Sequence, residues 1–117
     1  MGMTFVEGVV SGESGQQQTV KLLVDSGAGY SLLPCDVWQA LGLKAKRTMN
    51  FTLADGSTIQ RNISECHISL AGHEGHTPVI LGEPGDEPLL GALTLEIFGL
   101  VLDPFQRTLR DMQMRLG

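Results

Sequence analysis

Residues 22–34 read LLVDSGAGYSLLP, an apolar run that ends in an acid and passes at once into small residues. Gly27 and Gly29 permit backbone angles and close approaches that a side chain forbids. Ser26 adds a hydroxyl able to hold a neighbour in place. Asp25 is therefore displayed on a compact turn at the end of a strand. A lone carboxylate in such a place often only caps a turn or a helix, so its meaning depends on what the rest of the chain brings to it.

The chain around this stretch is written mostly in strands. MTFVEGVVSG (3–12) and TVKLLVD (19–25) enclose a polar segment and read as a hairpin whose second strand delivers Asp25. PCDVWQALGL (34–43) reads as a short helix with Val37, Trp38 and Leu41 on one face and Gly42 as its stop. In MNFTLADGSTIQRN (49–62), Asp55-Gly56 predicts a two-residue hairpin turn that sets Leu53 opposite Thr58 and Phe51 opposite Gln60. ISECHISLAG (63–72) alternates, with Cys66, Ile68 and Leu70 on one face. HEGH (73–76) reads as a loop and TPVILGE (77–83) as a strand. LLGALTLEIFG (89–99) starts apolar and then takes helical spacing through Leu93 and Ile97. LVLDP, FQR and TLRDMQM read as strand, turn and closing strand. The sum is a mainly β protein with two short helices. Strand, hairpin, strand and helix occur once before residue 44 and again after residue 47, a faint internal echo.

At 117 residues there is enough chain for one core and not for two, so a single domain over 1–117 is expected. The net charge of −5, with no basic run, argues against nucleic acid or an anionic membrane as partner. The longest apolar stretch is broken by Glu96 and too short to span a bilayer, and no signal peptide is read at the N-terminus. Two cysteines, Cys35 and Cys66, do not make a disulfide framework and fit a reducing compartment such as the cytoplasm, with a single Cys35–Cys66 pair as the alternative. His73 and His76 lack the four-residue helical spacing of a zinc motif, so no metal and no cofactor is expected. GAGYSLLP has no Gly-Lys-Ser/Thr for a phosphate loop, and Cys35 lacks a flanking nucleophile signature.

LLVDSGAGYSLLP resembles the catalytic loop of the retroviral-type, single-domain aspartic proteases: an apolar strand, then Asp25-Ser26-Gly27-Ala28, then Ser31. Leu89-Leu90-Gly91 is similar to the family's second signature, two apolar residues and a glycine leading into a helix. FTLADGSTIQR lies between them, where these proteins carry a flap hairpin, and FGLVLDPFQRTL looks like the segment that follows in bacterial relatives. The resemblance runs from about residue 4 to residue 111, in order. It implies an all-β closed barrel equal to half of a pepsin-like enzyme, and a prokaryotic cytoplasm as the setting.

The same resemblance implies an aspartic endopeptidase. Its chemistry needs two carboxylates around one water, and this chain has one Asp-Ser-Gly. A homodimer is therefore implied, with Asp25 from each copy, Ser26 bracing the loops, and Gly27 and Ala28 beside the substrate backbone. The tip Ala54, Asp55, Gly56 and Ser57 is expected to close over a polypeptide bound as a strand. Gly91 is expected to leave room where the two signature loops pass. Leu32, Leu53, Ile59 and Ile80 are read as core, with substrate pockets as the alternative. The competing function is a non-catalytic peptide-binding or dimerisation module on the same fold.

Overall fold

A computed structural model of the chain describes residues 2–113. The opening hairpin joins β1 (Phe5–Ser11) to β2 (Gln17–Val24), with Phe5 opposite Leu23 and Ser11 opposite Gln17. After the Asp25 turn come β3 (Ser31–Leu33) and α1 (Cys35–Ala40). Pro34 caps that helix, its carbonyl accepting from the Val37 and Trp38 amides. Gly42 follows at φ +70, the left-handed angle that ends a helix cheaply. Then follow β4 (Arg47–Thr52), β5 (Thr58–Leu70), β6 (His73–Leu81), β7 (Leu89–Leu90) and α2 (Ala92–Phe98). β8 (Leu100–Asp103) and β9 (Thr108–Asp111) form a separate two-stranded ribbon. Met114, the last residue of the expected closing strand, lies outside the described residues.

The seven-stranded sheet runs β1-β2-β7-β3-β6-β5-β4 and closes through a further pairing of β1 with β5. Closure is possible because β5 is 13 residues long. Its first half pairs with β4, and its second half pairs with β1 through Val9–Ser69, Val10–Ile68 and Ser11–His67. The expected barrel and all-β class are both present. Inside lie Val10, Leu22, Leu33, Ile68, Val79 and Leu90, all without solvent exposure. They sit at alternate positions of their strands, so each strand offers one apolar row to the core.

The internal echo has a structural form. The long strand of the first half, β2, pairs parallel with the short strand of the second, β7. The second strand of the second half's hairpin, β6, pairs parallel with the short strand of the first, β3. Each short strand then leads directly into a helix.

Three local expectations need correction. HEGH is the start of β6, not a loop, because Ala71 and Gly72 (φ +50 and +78) make a two-residue turn that pairs Leu70 with His73. In the β4–β5 hairpin, Phe51 faces Ile59 and Thr52 faces Thr58, one residue off the expected register. A two-residue turn of the expected kind needs positive φ at both Asp55 and Gly56, and only Gly56 (φ +87) has it. Ala54, Asp55 and Gly56 instead form a three-residue loop. It is closed by Leu53 N–H to the Ser57 carbonyl (2.7 Å) and Gly56 N–H to the Leu53 carbonyl (2.9 Å). Lastly, α2 buries Thr94, Leu95 and Phe98, whereas Leu93 is half-buried and Ile97 is 48% exposed.

The thiols differ in kind. Burial pushes the Cys66 thiol up to about 12, whereas Cys35 is half-buried at the start of α1. A thiol reagent at pH 8 is expected to label Cys35 in the native protein and Cys66 only after unfolding. Rapid labelling of both would contradict the buried position of Cys66.

Candidate active site

Asp25 leaves the end of β2 with its amide donating to the Leu90 carbonyl at 3.0 Å. Its own carbonyl accepts from Ala28 N–H (3.1 Å), and Oδ1 accepts from Gly27 N–H (3.0 Å). Main-chain and side-chain turns are thus superposed on one residue, which holds the carboxylate in a set direction. Asp25 is half-buried, while Ser26 and Gly27 beside it are exposed. The acid sits at a rim, neither sunk in the core nor swinging free.

The second signature loop supports the first. Ala92 and Leu93 N–H donate to the carbonyls of Ala28 and Gly29 at 2.7 and 2.9 Å. At Gly91 a Cβ would stand 2.6 Å from the Tyr30 carbonyl group, a distance no side chain tolerates. Only a residue without a side chain fits this close passage of the two loops. Beneath the crossing lies a chain of hydroxyls that the sequence reading missed. Gly91 N–H donates to Ser31 Oγ (3.0 Å), Ser31 Oγ meets Thr94 Oγ1 (2.6 Å), and Thr94 Oγ1 meets Thr77 Oγ1 (2.8 Å). Thr77 in turn donates to the Pro78 carbonyl (3.3 Å). Ser31, Thr77 and Thr94 are each at most 1% exposed. One direction of donation, from Gly91 to Pro78, lets every hydroxyl accept once and donate once. The available signal was a hydroxyl inside an apolar run, in TPVIL and again in ALTLEIF.

A half-buried apolar stripe flanks the acid. Leu23 pairs with Leu89, Leu89 with Leu32, and Leu32 with Ile80, so the four share one face of β2, β7, β3 and β6. None belongs to the buried core; its neighbours Val24, Leu33, Val79, Leu81 and Leu90 do. The core reading of Leu32, Ile59 and Ile80 is corrected accordingly: all three are half-buried, and Leu53 is 43% exposed.

The hairpin tip, Ala54 to Ser57, is exposed. Asp55 Oδ1 accepts from both Ser57 N–H (2.9 Å) and Ser57 Oγ–H (2.5 Å), and these bonds hold its carboxyl below the usual carboxylate range. Among the described residues, no hydrogen bond runs from the tip to the Asp25 loop. The hairpin meets that loop lower down. The Phe51 ring packs edge-on against Tyr30, with centroids 6.0 Å apart, and Arg47 Nη2 donates to the Tyr30 hydroxyl at 3.1 Å. Sequence reasoning also missed these three residues. Among the described residues, no group of three or more His, Cys, Asp or Glu side chains is arranged to hold a metal ion. No helix of the described chain is long and apolar enough to cross a membrane.

A closed β sheet with an acid turn laced to a crossing Leu-Leu-Gly loop defines the retropepsin-like aspartic protease class. Residues 11–96 match the family model described as gag-polyprotein putative aspartyl protease, and the chain belongs to that family. Among solved structures, it is similar to the solution structure of the simian foamy virus (mac) protease. The TM-score is 0.57 at 18% identity, over 79% of this chain and 91% of that one, which is a likeness of fold. No curated protein sequence matches the chain.

Two outcomes follow from the hydrogen bonds. Thr94→Val strands the Ser31 hydroxyl and Gly91 N–H chain and is expected to cost about 1–3 kcal/mol in urea unfolding, against near-neutrality if the trio is only space-filling. The lowered Asp55 carboxyl contributes to hairpin order above its unfolded value near 3.8, and that contribution is lost as pH falls through the folded value. Protection of the Ser57 amide from exchange, taken relative to its intrinsic rate at each pH, is expected to fall in that acid range and in Asp55→Ala at neutral pH. Unchanged exchange in the variant would rule out the side-chain bonds as the cause.

Proposed function

We propose that the protein is an aspartic endopeptidase whose catalytic centre is a pair of Asp25 carboxylates contributed by two copies of the chain. The observation that carries the reading is the Asp25 turn: an acid aimed by its own loop, at an exposed rim, braced by a second signature loop from beneath.

The second acid is sought in a second copy because this chain carries one Asp-Ser-Gly, at Asp25, and its other aspartates lie outside such a loop. Asp55 holds Ser57, Asp86 accepts from Glu83 N–H, Asp103 accepts from Phe105 and Gln106 N–H, and Asp111 pairs with His73. Surface character supports the same reading. A largely apolar groove beside α2 and β8 is lined by Ala92, Leu95, Leu100, Val101 and Met112, with Ser26 and the charged Glu96 also in its wall. Ile97 stands exposed on the same helix. Contiguous apolar surface of this kind marks association.

In the dimer the two carboxylates share one proton, since two close negative charges do not readily form together. The ionised acid takes a proton from water, and the water oxygen bonds to the peptide carbonyl carbon. The protonated acid gives its proton to the carbonyl oxygen, forming a geminal diol. The proton gained from water then passes to the amide nitrogen. The C–N bond breaks, one diol hydroxyl returns its proton to the carboxylate, and a new acid and a new amine leave. Substrate lies extended between the Asp25 loop and the β4–β5 hairpin, which acts as the flap, through main-chain hydrogen bonds. Its side chains rest on the stripe of Leu23, Leu32, Ile80 and Leu89.

The test is digestion of casein from acid to neutral pH by wild type and by Asp25→Asn, each with and without a statine-type inhibitor. Wild-type cleavage should be blocked by the inhibitor and fall by about 10²-fold or more in the variant. Cleavage that survives Asp25→Asn would place the chemistry elsewhere. An inert wild type that sediments as a dimer would favour a peptide-binding module.

A further inference from the structure

Arg47 opens β4, and Tyr30 closes the turn that begins at Asp25. Their side chains meet across the gap between the hairpin and the acid loop, Nη2 to phenol oxygen at 3.1 Å. A phenol that accepts from a guanidinium keeps its own O–H free to donate elsewhere, and the guanidinium keeps further N–H groups. Two donors, one of them cationic, therefore stand side by side. That pairing suits a carboxylate, whose two oxygens accept in parallel.

The charge pattern sharpens the point. This chain carries 13 acidic and 8 basic side chains. Lys46 and Arg61 are paired with Glu13 and Glu83. Arg47, exposed, has only the neutral phenol as a polar partner among the described residues. Phe51 packs edge-on to the same phenol and so steadies its ring at the end of the Asp25 turn. Tyr30 is also two residues from Leu32, a member of the apolar stripe.

We propose that Arg47 and Tyr30 form a carboxylate-recognition point that selects polypeptides bearing an Asp or Glu side chain close to the scissile bond. The inference rests on the peptidase reading, and Arg47 is a specificity-determining residue in it. Arg47 N–H and Tyr30 O–H donate to the substrate carboxylate, while the apolar stripe takes the neighbouring side chain. The site is solvent-accessible, so its contribution is modest and weakens with salt.

The test has a cleavage arm and a binding arm, with folding of each variant checked by thermal unfolding. Wild type, Arg47→Gln, Arg47→Glu and Tyr30→Phe digest a mixture of proteome-derived peptides, and the cut sites are read by mass spectrometry. Wild-type sites should carry Asp or Glu within three residues of the cut about threefold to tenfold above background. That bias should vanish in Arg47→Gln, turn toward Lys and Arg in Arg47→Glu, and weaken in Tyr30→Phe. In the binding arm, fluorescence anisotropy compares short casein-derived peptides that differ only as Glu or Gln. Asp25→Asn is measured with and without Arg47→Gln, and C-terminal amidation removes the terminal carboxylate as a competing ligand. Cleavage without acidic bias, or with bias that survives Arg47→Gln, overturns this inference and leaves the peptidase reading standing. Preference for Glu that depends on Arg47, in a protein whose wild type cuts nothing, supports the recognition point and overturns the peptidase reading. Neither cleavage nor discrimination overturns both.

Discussion

Two loops that are far apart in the chain cross beside Asp25, and the crossing depends on a hydrogen-bonded line buried beneath it. Gly91 brings its backbone within touching distance of Tyr30 because it has no side chain. Ser31, Thr94 and Thr77 then carry hydrogen bonds from that contact down through β3, α2 and β6. Each hydroxyl would be costly to bury alone, and each is satisfied by the next. Because the line joins a strand, a helix and the strand behind them, the direction of the Asp25 turn is set by the core and not by the turn alone.

Around that fixed crossing, the structure divides by exposure. Core rows such as Leu22, Leu33 and Val79 are sealed within the closed sheet. The alternate rows, Leu23, Leu32, Ile80 and Leu89, stay half-buried on the face beside the acid. Period-two alternation thus gives the same short strands two roles, a core on one side and an apolar floor on the other. The β4–β5 hairpin is built differently. Its tip is held mainly by its own bonds at Asp55 and Ser57, and its base by Phe51 and Arg47 against Tyr30. An element with few anchors of this kind belongs to the part of a fold that opens at low cost.

Much of the architecture was legible from local pattern. The opening hairpin, both helices, the terminal ribbon and the acid at the end of β2 follow from alternation, Pro and Gly placement and turn chemistry. Where reading failed, a single angle or a distant contact decided. Asp55 keeps an ordinary φ, so the hairpin lengthens by one residue and its register shifts. Ala71 adopts a left-handed φ, so HEGH becomes strand. The helix face at Thr94, Leu95 and Phe98 outranks the more hydrophobic Leu93 and Ile97, because Thr94 has hydroxyl partners on β3 and β6.

By itself, then, the order of residues determined the mainly β class and the acid set on a compact turn, while the need for glycine at position 91 was legible only through the family resemblance. These are local or motif-level properties, written in spacing and in residue size. Only the tertiary structure decided which polar groups share a buried line, which apolar residues form the floor beside Asp25, and that Arg47 comes to rest on Tyr30. Those facts depend on pairing between distant segments, such as Ser31 with Thr94, 63 residues apart. Such pairing is set by the closure of the whole sheet, and no window of sequence contains it.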